Sequence, residues 1–463
     1  MKSKFIHLII GPILFLVSLK LPLENLSSEG QAVLACTLWV AYWWITEALE
    51  LSVTSLLPIV IFPLSGAVPL EKITSSYGHP FIFLFMGGFV LGIAIQKWNL
   101  HKRIAFKIIE VLGTGKKRVI LGFLLATAFL SMWLSNTATA IMILPIGISV
   151  SAHFNQDKVF SKNLMLAIAY GASIGGMATL IGSPPNIIFA GILKQSLQIE
   201  ITFLNWMLFA LPISLFLLLF AWIYLTRFKV DPEEKKSSVI LDDLGNITTP
   251  EKRVLMVFAM VAFLWISKDF LWVKLFPKLD DTIIAIIGAL SLFIIPAGSG
   301  SREALMNWKA AKSLPWGVLL IFGAGLAIAS GFSNTDLTVW LGNQIGEAKV
   351  LPAFLFSLLV IAGINFLTEI TSNTATASML LPVLISLGLS LDMDVVGLLA
   401  GATLACTCAF MLPVATPPNA IIFGSGQIKL KEMMRAGIFM NIVSVLVIFV
   451  LSLLLSGVLA GGN

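Results

Sequence analysis

Apolar residues fall along the chain in long runs, separated by short clusters of charged and turn-forming residues. The runs lie at about 5–22, 30–48, 51–68, 79–97, 118–152, 163–193, 203–226, 252–273, 282–298, 314–334, 351–390, 394–427 and 436–460. A helix needs roughly 20 apolar residues to cross the hydrocarbon layer, so most runs predict one crossing each. Two of them, 118–152 and 351–390, are long enough for two arms, either as paired crossings or as hairpins that return to the side they entered. The first run follows Lys2 and Lys4 as a secretory signal would, but Lys20-Leu21-Pro22 stands where a small-residue cleavage site belongs. We read it as the first membrane helix.

Of the 463 residues, 58% are hydrophobic and 12% charged, and the mean hydropathy is +0.96. Such a chain cannot cover a soluble surface, which excludes a soluble enzyme or a nucleic-acid binder. The 30 Lys and Arg residues lie between the runs. With a cytoplasmic N-terminus and both long runs returning to their own side, 23 of the 30 fall on one face and 7 on the other. The expectation is an all-α polytopic protein of the cell inner membrane, with about eleven crossings and an exterior C-terminus. Cys36, Cys406 and Cys408 all sit inside apolar runs, without disulfide or zinc spacing, and read as buried thiols.

The segment SNTATAIMILP at 135–145 recurs as SNTATASMLLP at 372–382. Ser183-Pro184-Pro185-Asn186 recurs as Thr416-Pro417-Pro418-Asn419, at nearly the same offset. The expected organisation is a first helix over 1–28, one repeat over 29–228, a cytoplasmic linker over 229–251 and a second repeat over 252–463. Each repeat holds five single crossings and one run that returns to its own side, so the second copy begins on the opposite face and is inverted. Inverted repeats with interrupted helices at matching positions point to a secondary transporter.

The chemistry follows from the interruptions. Tandem prolines supply no N–H and clash with the preceding turn, so Gly182-Ser183 and Ala415-Thr416 should unwind and free carbonyls for a small cation. The helix starts beyond them, rich in N–H, would suit an anion. Ser135-Asn136-Thr137 and Ser372-Asn373-Thr374 bisect the two long runs and should cap one arm of each hairpin, leaving N–H groups at Thr137 to Thr139 and Thr374 to Thr376. Hydroxyl and amide oxygens at these tips are hard ligands that suit sodium. Glu47, Glu50 and Glu369 lie in or beside apolar runs, where an ionisable group is a candidate by default. Glu369 reads equally as a proton or cation relay and as a hydrogen-bonded structural carboxylate; Met132 stands at its place in the first repeat.

Paired SNT triplets, paired S/T-P-P-N breaks and this chain length together resemble the divalent anion:sodium symporter (DASS) family, the bacterial relatives of INDY-type dicarboxylate and citrate carriers. The resemblance implies a homodimer whose protomers each combine a scaffold domain with a transport domain that moves as an elevator. It implies re-entrant hairpins, and one sodium site at Ser131, Ser135, Asn136 and the backbone of Gly182. A second site would use Thr368, Thr371, Asn373 and the backbone of Ala415. The substrate carboxylates would meet Asn136, Thr137, Ser372, Asn373 and Thr374, with Ser183, Thr416 and Pro417 lining the pocket. The function implied is sodium-coupled import of a C4-dicarboxylate such as succinate. Cation-independent exchange, and sodium-coupled carriage of citrate or sulfate, are the alternatives within the family.

Other classes are weakly supported. Gly171-Ala172-Ser173-Ile174-Gly175 matches a hydrolase elbow, but His7, His79, His101 and His153 all avoid the middle of an apolar run. Gly113-Thr114-Gly115-Lys116-Lys117 lacks phosphate-loop spacing. Nothing resembles a channel filter.

Overall fold

The computed structural model describes residues 2–113, 115–154, 157–227, 244–298, 303–346 and 352–460. Most of the expected linker over 229–251 therefore lies outside the described residues. Helix follows helix, with no strand among the described residues. Seven segments among them are long and apolar enough to cross a membrane, and shorter apolar helices such as Lys4–Ser18 and Asp281–Ile294 stand between them. Leu430–Ala460 shows the solvent these helices are built for. Ile438, Ile442, Leu446, Val450 and Leu453 are exposed along one stripe, while Met433, Met440 and Ile448 are buried. An outward apolar stripe on a long helix suits lipid, not water.

Both long runs fold as helical hairpins. The first has arms Lys116–Ser131 and Asn136–His153, the second Ala353–Leu367 and Asn373–Ser390. Each hairpin precedes a broken helix. The first broken helix runs as Lys158–Met177 and Pro184–Leu197, the second as Val395–Thr407 and Pro417–Gly424. In both, the tandem prolines occupy the first two positions of the second arm, where their missing N–H groups have no helical partner to lose.

Glycines bring hairpin and broken helix into backbone contact. A Cβ at Gly175 would lie 2.2 Å from Ala128 O; in the second half, Gly437 of the last helix packs as closely on the break, its Cβ position 2.3 Å from Phe410 O. The first arm, 16 residues long, extends about 24 Å at 1.5 Å per residue. It ends at the break of its partner, and Pro184–Leu197 runs on beyond the tip.

Unwound backbone away from water must be paired within the protein. Here the asparagine after the prolines does it. Asn186 Nδ2 donates to Gly176 O at 2.9 Å and Thr179 O at 2.7 Å. Asn419 Nδ2 donates to Ala409 O and Leu412 O, both at 3.0 Å. These are the same positions of the two motifs, and both asparagines are fully buried.

Elsewhere, Pro80–Lys97 packs on Asp281–Ile294, with Gly87 against Ala285. At one end of these helices, Lys268 and Asp281 form a buried ion pair at 3.0 Å. Asp281 Oδ2 also accepts from Phe203 N at 2.8 Å, tying this layer to the helix Phe203–Leu225.

Two outcomes are expected. Asn186→Ala or Asn419→Ala strands two buried carbonyls, a loss of about 1–3 kcal/mol each, seen as a lower melting temperature in detergent; an unchanged melting temperature contradicts the pairing. Asp281→Ala leaves Lys268 buried without its main partner and destabilises by about 3–5 kcal/mol. The double variant Lys268→Met with Asp281→Leu should recover most of that loss, and a double variant no better than the single one refutes it.

Candidate functional site

At the first tip, Ser131 ends one arm and Ser135 caps the next, its Oγ accepting from Ala138 N at 3.2 Å. Ser131 is fully buried and its hydroxyl donates to Ala172 O at 2.6 Å. One end of the Asn136 amide points into this group, 2.8 Å from Ser131 Oγ, 3.2 Å from Ala172 O and 3.1 Å from Gly182 O. As nitrogen, that end donates to all three. As oxygen, it completes a cluster of hard ligands that repel one another unless a cation sits among them. Glycine is required beside it: a Cβ at Gly176 would lie 2.2 Å from Asn136 Oδ1 and one at Gly182 would lie 2.6 Å from Gly176 O.

The second tip repeats the pattern with threonine for serine. Thr368 Oγ1 lies 2.7 Å from Asn373 Oδ1 and 2.8 Å from Cys406 O. The Thr371 hydroxyl turns away, donating to Leu367 O at 2.9 Å and meeting Thr376 Oγ1 at 2.7 Å. Of the expected second cation set, the structure therefore brings together Thr368 and Asn373, leaves Thr371 only its carbonyl, and adds Cys406 O. Ala415 is buried in the unwound segment, its N–H bonded to Leu412 O at 3.2 Å.

The two breaks meet each other. Ser183 Oγ lies 3.4 Å from Thr407 Oγ1, Cys408 Sγ lies 3.6 Å from Met177 Sδ, and the rings of Tyr170 and Phe410 are 5.1 Å apart. Behind the tips, Ser131, Gly182 and Thr368 are buried; toward the opening, Ser135, Asn136, Thr137, Ser372 and Asn373 are half-buried and Pro417 is exposed. Thr374 is buried just inside the second tip. Oxygen-rich floors thus lie under two partly open tips.

Several expectations are corrected. The arms that begin at Pro184 and Pro417 are poor in N–H, because two prolines occupy their first turn and Asn186 N is bonded to Ser183 O. Thr416 Oγ1 accepts from Asn419 N at 3.3 Å and so caps its own helix. Helix starts that can face an anion are therefore the SNT tips. Even there, Ser135 takes Ala138 N and Thr139 N, and Ser372 O takes Thr376 N, leaving the first two helical N–H groups of each tip outside the ladder. Glu47 and Glu50 are exposed at helix ends.

Glu369 is 3% exposed and faces four donors. Its Oε1 accepts from Phe410 N at 2.8 Å, Met411 N at 2.9 Å and Asn441 Nδ2 at 2.7 Å, and its Oε2 accepts from Leu412 N at 3.0 Å. The residues that sequence reasoning missed are the asparagines. Asn186 and Asn419 stood in the motif without a role, and Asn365 and Asn441 are lone amides in apolar runs, a signal in themselves because lipid offers them no partner.

Comparison with known proteins places the chain in a family. The family model described as sodium:sulfate symporter transmembrane region matches residues 2–460. The sodium-dependent dicarboxylate transporter SdcS of Staphylococcus saprophyticus is 42% identical, over 96% of this chain and 90% of that protein. Its namesake in Staphylococcus aureus strain RF122 matches to the same extent. In fold, the chain is similar to the Alcanivorax borkumensis YdaH transporter, with a TM-score of 0.59 and 14% identity, covering 84% of this chain and 86% of that one. Matched over nearly its whole length, the chain is a multi-pass membrane protein that belongs to the sodium:sulfate (divalent anion:sodium) symporter family, a family of transporters and not of enzymes.

Proposed function

We propose that the protein imports a C4-dicarboxylate such as succinate, driven by sodium, across the cell inner membrane. The observation that carries this reading is the meeting of two oxygen-lined tips with two helix breaks at one place in the fold. One sodium ion would be held by Ser131, Ser135, Asn136 and the Gly182 carbonyl. The other would be held by Thr368, Asn373 and the carbonyls of Thr371 and Ala415, with Cys406 O adjoining. The carboxylates would take the N–H and side-chain donors of Asn136, Thr137, Ser372, Asn373 and Thr374, over walls formed by Ser183, Thr416 and Pro417. The relatives named sodium-dependent dicarboxylate transporters support both the ion and the substrate class.

Coupling has a physical origin in this reading. The buried lysines Lys116 and Lys268 are ion-paired with Asp157 and Asp281, so neither is free to balance a bound dianion. An unpaired charge in a low-dielectric site is very unfavourable. Sodium at the tips would supply the missing positive charge, and substrate would bind well only after it.

The two repeats, 29–228 and 252–463 around the linker 229–251, would place the hairpins, the broken helices and the last helix of each repeat in a mobile transport domain. The remaining helices would form the scaffold and the homodimer contact. The N-terminus would be cytoplasmic and the C-terminus exterior.

The test is uptake of labelled succinate into proteoliposomes. Uptake should require an inward sodium gradient, proceed without internal succinate, and be competed by succinate more strongly than by citrate or sulfate. Uptake that needs internal succinate and ignores sodium would establish exchange instead; strong competition by sulfate would reassign the anion. Asn136→Ala and Asn373→Ala should each lower sodium-driven uptake by at least about tenfold, and wild-type uptake in both would reject the site.

A further inference from the structure

The two breaks are held open by different means. The first broken helix is unwound over 178–183, the second over 408–416. In a continuous helix, Phe410, Met411 and Leu412 would donate their N–H groups to the carbonyls of Cys406, Thr407 and Cys408, four residues back. Instead all three donate to the carboxylate of Glu369. The carbonyls so released turn to the second hairpin: Cys406 O accepts from Thr368 Oγ1 and Cys408 O from Asn365 Nδ2, both at 2.8 Å. Asn441 of the last helix closes the network, donating to Glu369 Oε1 and accepting from Phe410 N at 3.3 Å. At the matching place in the first half stands Met132, and there the helix continues through Met177, past the Ala172 carbonyl that Ser131 contacts.

We infer that Glu369 is a positioning residue: by taking the N–H groups of Phe410, Met411 and Leu412 it keeps the last turn of the second broken helix open and hands the Cys406 carbonyl to the cation position at Thr368 and Asn373. The inference rests on the sodium-coupled reading above. Four donors face the side chain, so its part is to hold backbone. Met132 stands at the matching place of the first half, so the two positions are unequal, the second being preformed by this network.

Glu369→Gln keeps the size of the side chain but turns an NH₂ group toward backbone donors. In proteoliposomes at saturating succinate, the sodium concentration for half-maximal uptake should rise about tenfold or more, with the maximal rate regained at high sodium. Glu369→Asp should fall between this variant and the wild type, and Met132→Leu should stay within about twofold of wild type, since Met132 lacks any such role. A folded Glu369→Gln protein with the wild-type sodium curve, or one whose lost rate high sodium fails to restore, overturns the inference. Hydrogen exchange on the wild-type protein provides a test independent of any variant. The amides of Phe410, Met411 and Leu412 should be protected with and without sodium, because Glu369 holds them before the ion arrives. Free exchange of these amides in sodium-free buffer overturns the inference. Sodium-independent succinate uptake by the wild type would defeat the sodium-coupled reading itself, an outcome the exchange measurement keeps separate.

Discussion

Everything in this fold turns on one constraint: a polypeptide in lipid has no water to satisfy its backbone, so a helix can be interrupted only where the protein supplies replacement partners. Two interruptions are present, and each is stapled by the asparagine that follows its tandem prolines, Asn186 in one half and Asn419 in the other. The prolines remove donors from the start of one arm, and the asparagine amide answers carbonyls of the unwound segment before it and, in the first half, of the preceding arm's last turn. What remains is a set of oxygens held at fixed positions, facing a hairpin tip that brings its own hydroxyl and amide. Such preorganised hard ligands avoid the ordering cost that an unfolded loop would carry into ion binding.

The halves are similar without being the same. Serine at 131 is matched by threonine at 368, and each hydroxyl bridges an asparagine of its tip to a carbonyl of its broken helix. Yet the first half leans on glycine, with Gly176 and Gly182 admitting the Asn136 amide at close range. The second half leans on a buried side chain, with Glu369 accepting hydrogen bonds from a longer unwound segment. Duplication explains the shared frame, and local chemistry has since made the two positions distinct.

Much of this was legible in the residues. Hydropathy located the long apolar helices because lipid demands long uninterrupted apolar runs, while Leu100–Leu112 and Leu337–Gly346 fall outside those runs; the Pro-Pro pairs marked where each second arm resumes, but not how far back each break begins. The tips were legible because Ser and Asn bisect runs that are otherwise featureless. The N–H-rich starts expected after Pro184 and Pro417 were misjudged: a helix dipole argument counted donors that proline does not possess. Cys406 O was not legible at all, since a backbone carbonyl leaves no mark in the sequence and its release depends on Glu369, distant along the chain. Thr371 was misjudged in part for a related reason, because its hydroxyl finds Leu367 O and Thr376 Oγ1 closer at hand.

In the proposed function, the oxygens gathered at the two tips hold sodium beneath a bound dicarboxylate. A high-resolution structure determined in sodium and succinate tests it most directly. Ion density is expected enclosed by Ser131 Oγ, Asn136 Oδ1 and Gly182 O, and again beside Thr368 Oγ1, Asn373 Oδ1 and Cys406 O, with succinate resting on Asn136, Thr137, Asn373 and Thr374. Succinate bound elsewhere, with the Asn136 amide nitrogen donating into an ion-free cluster, would contradict it.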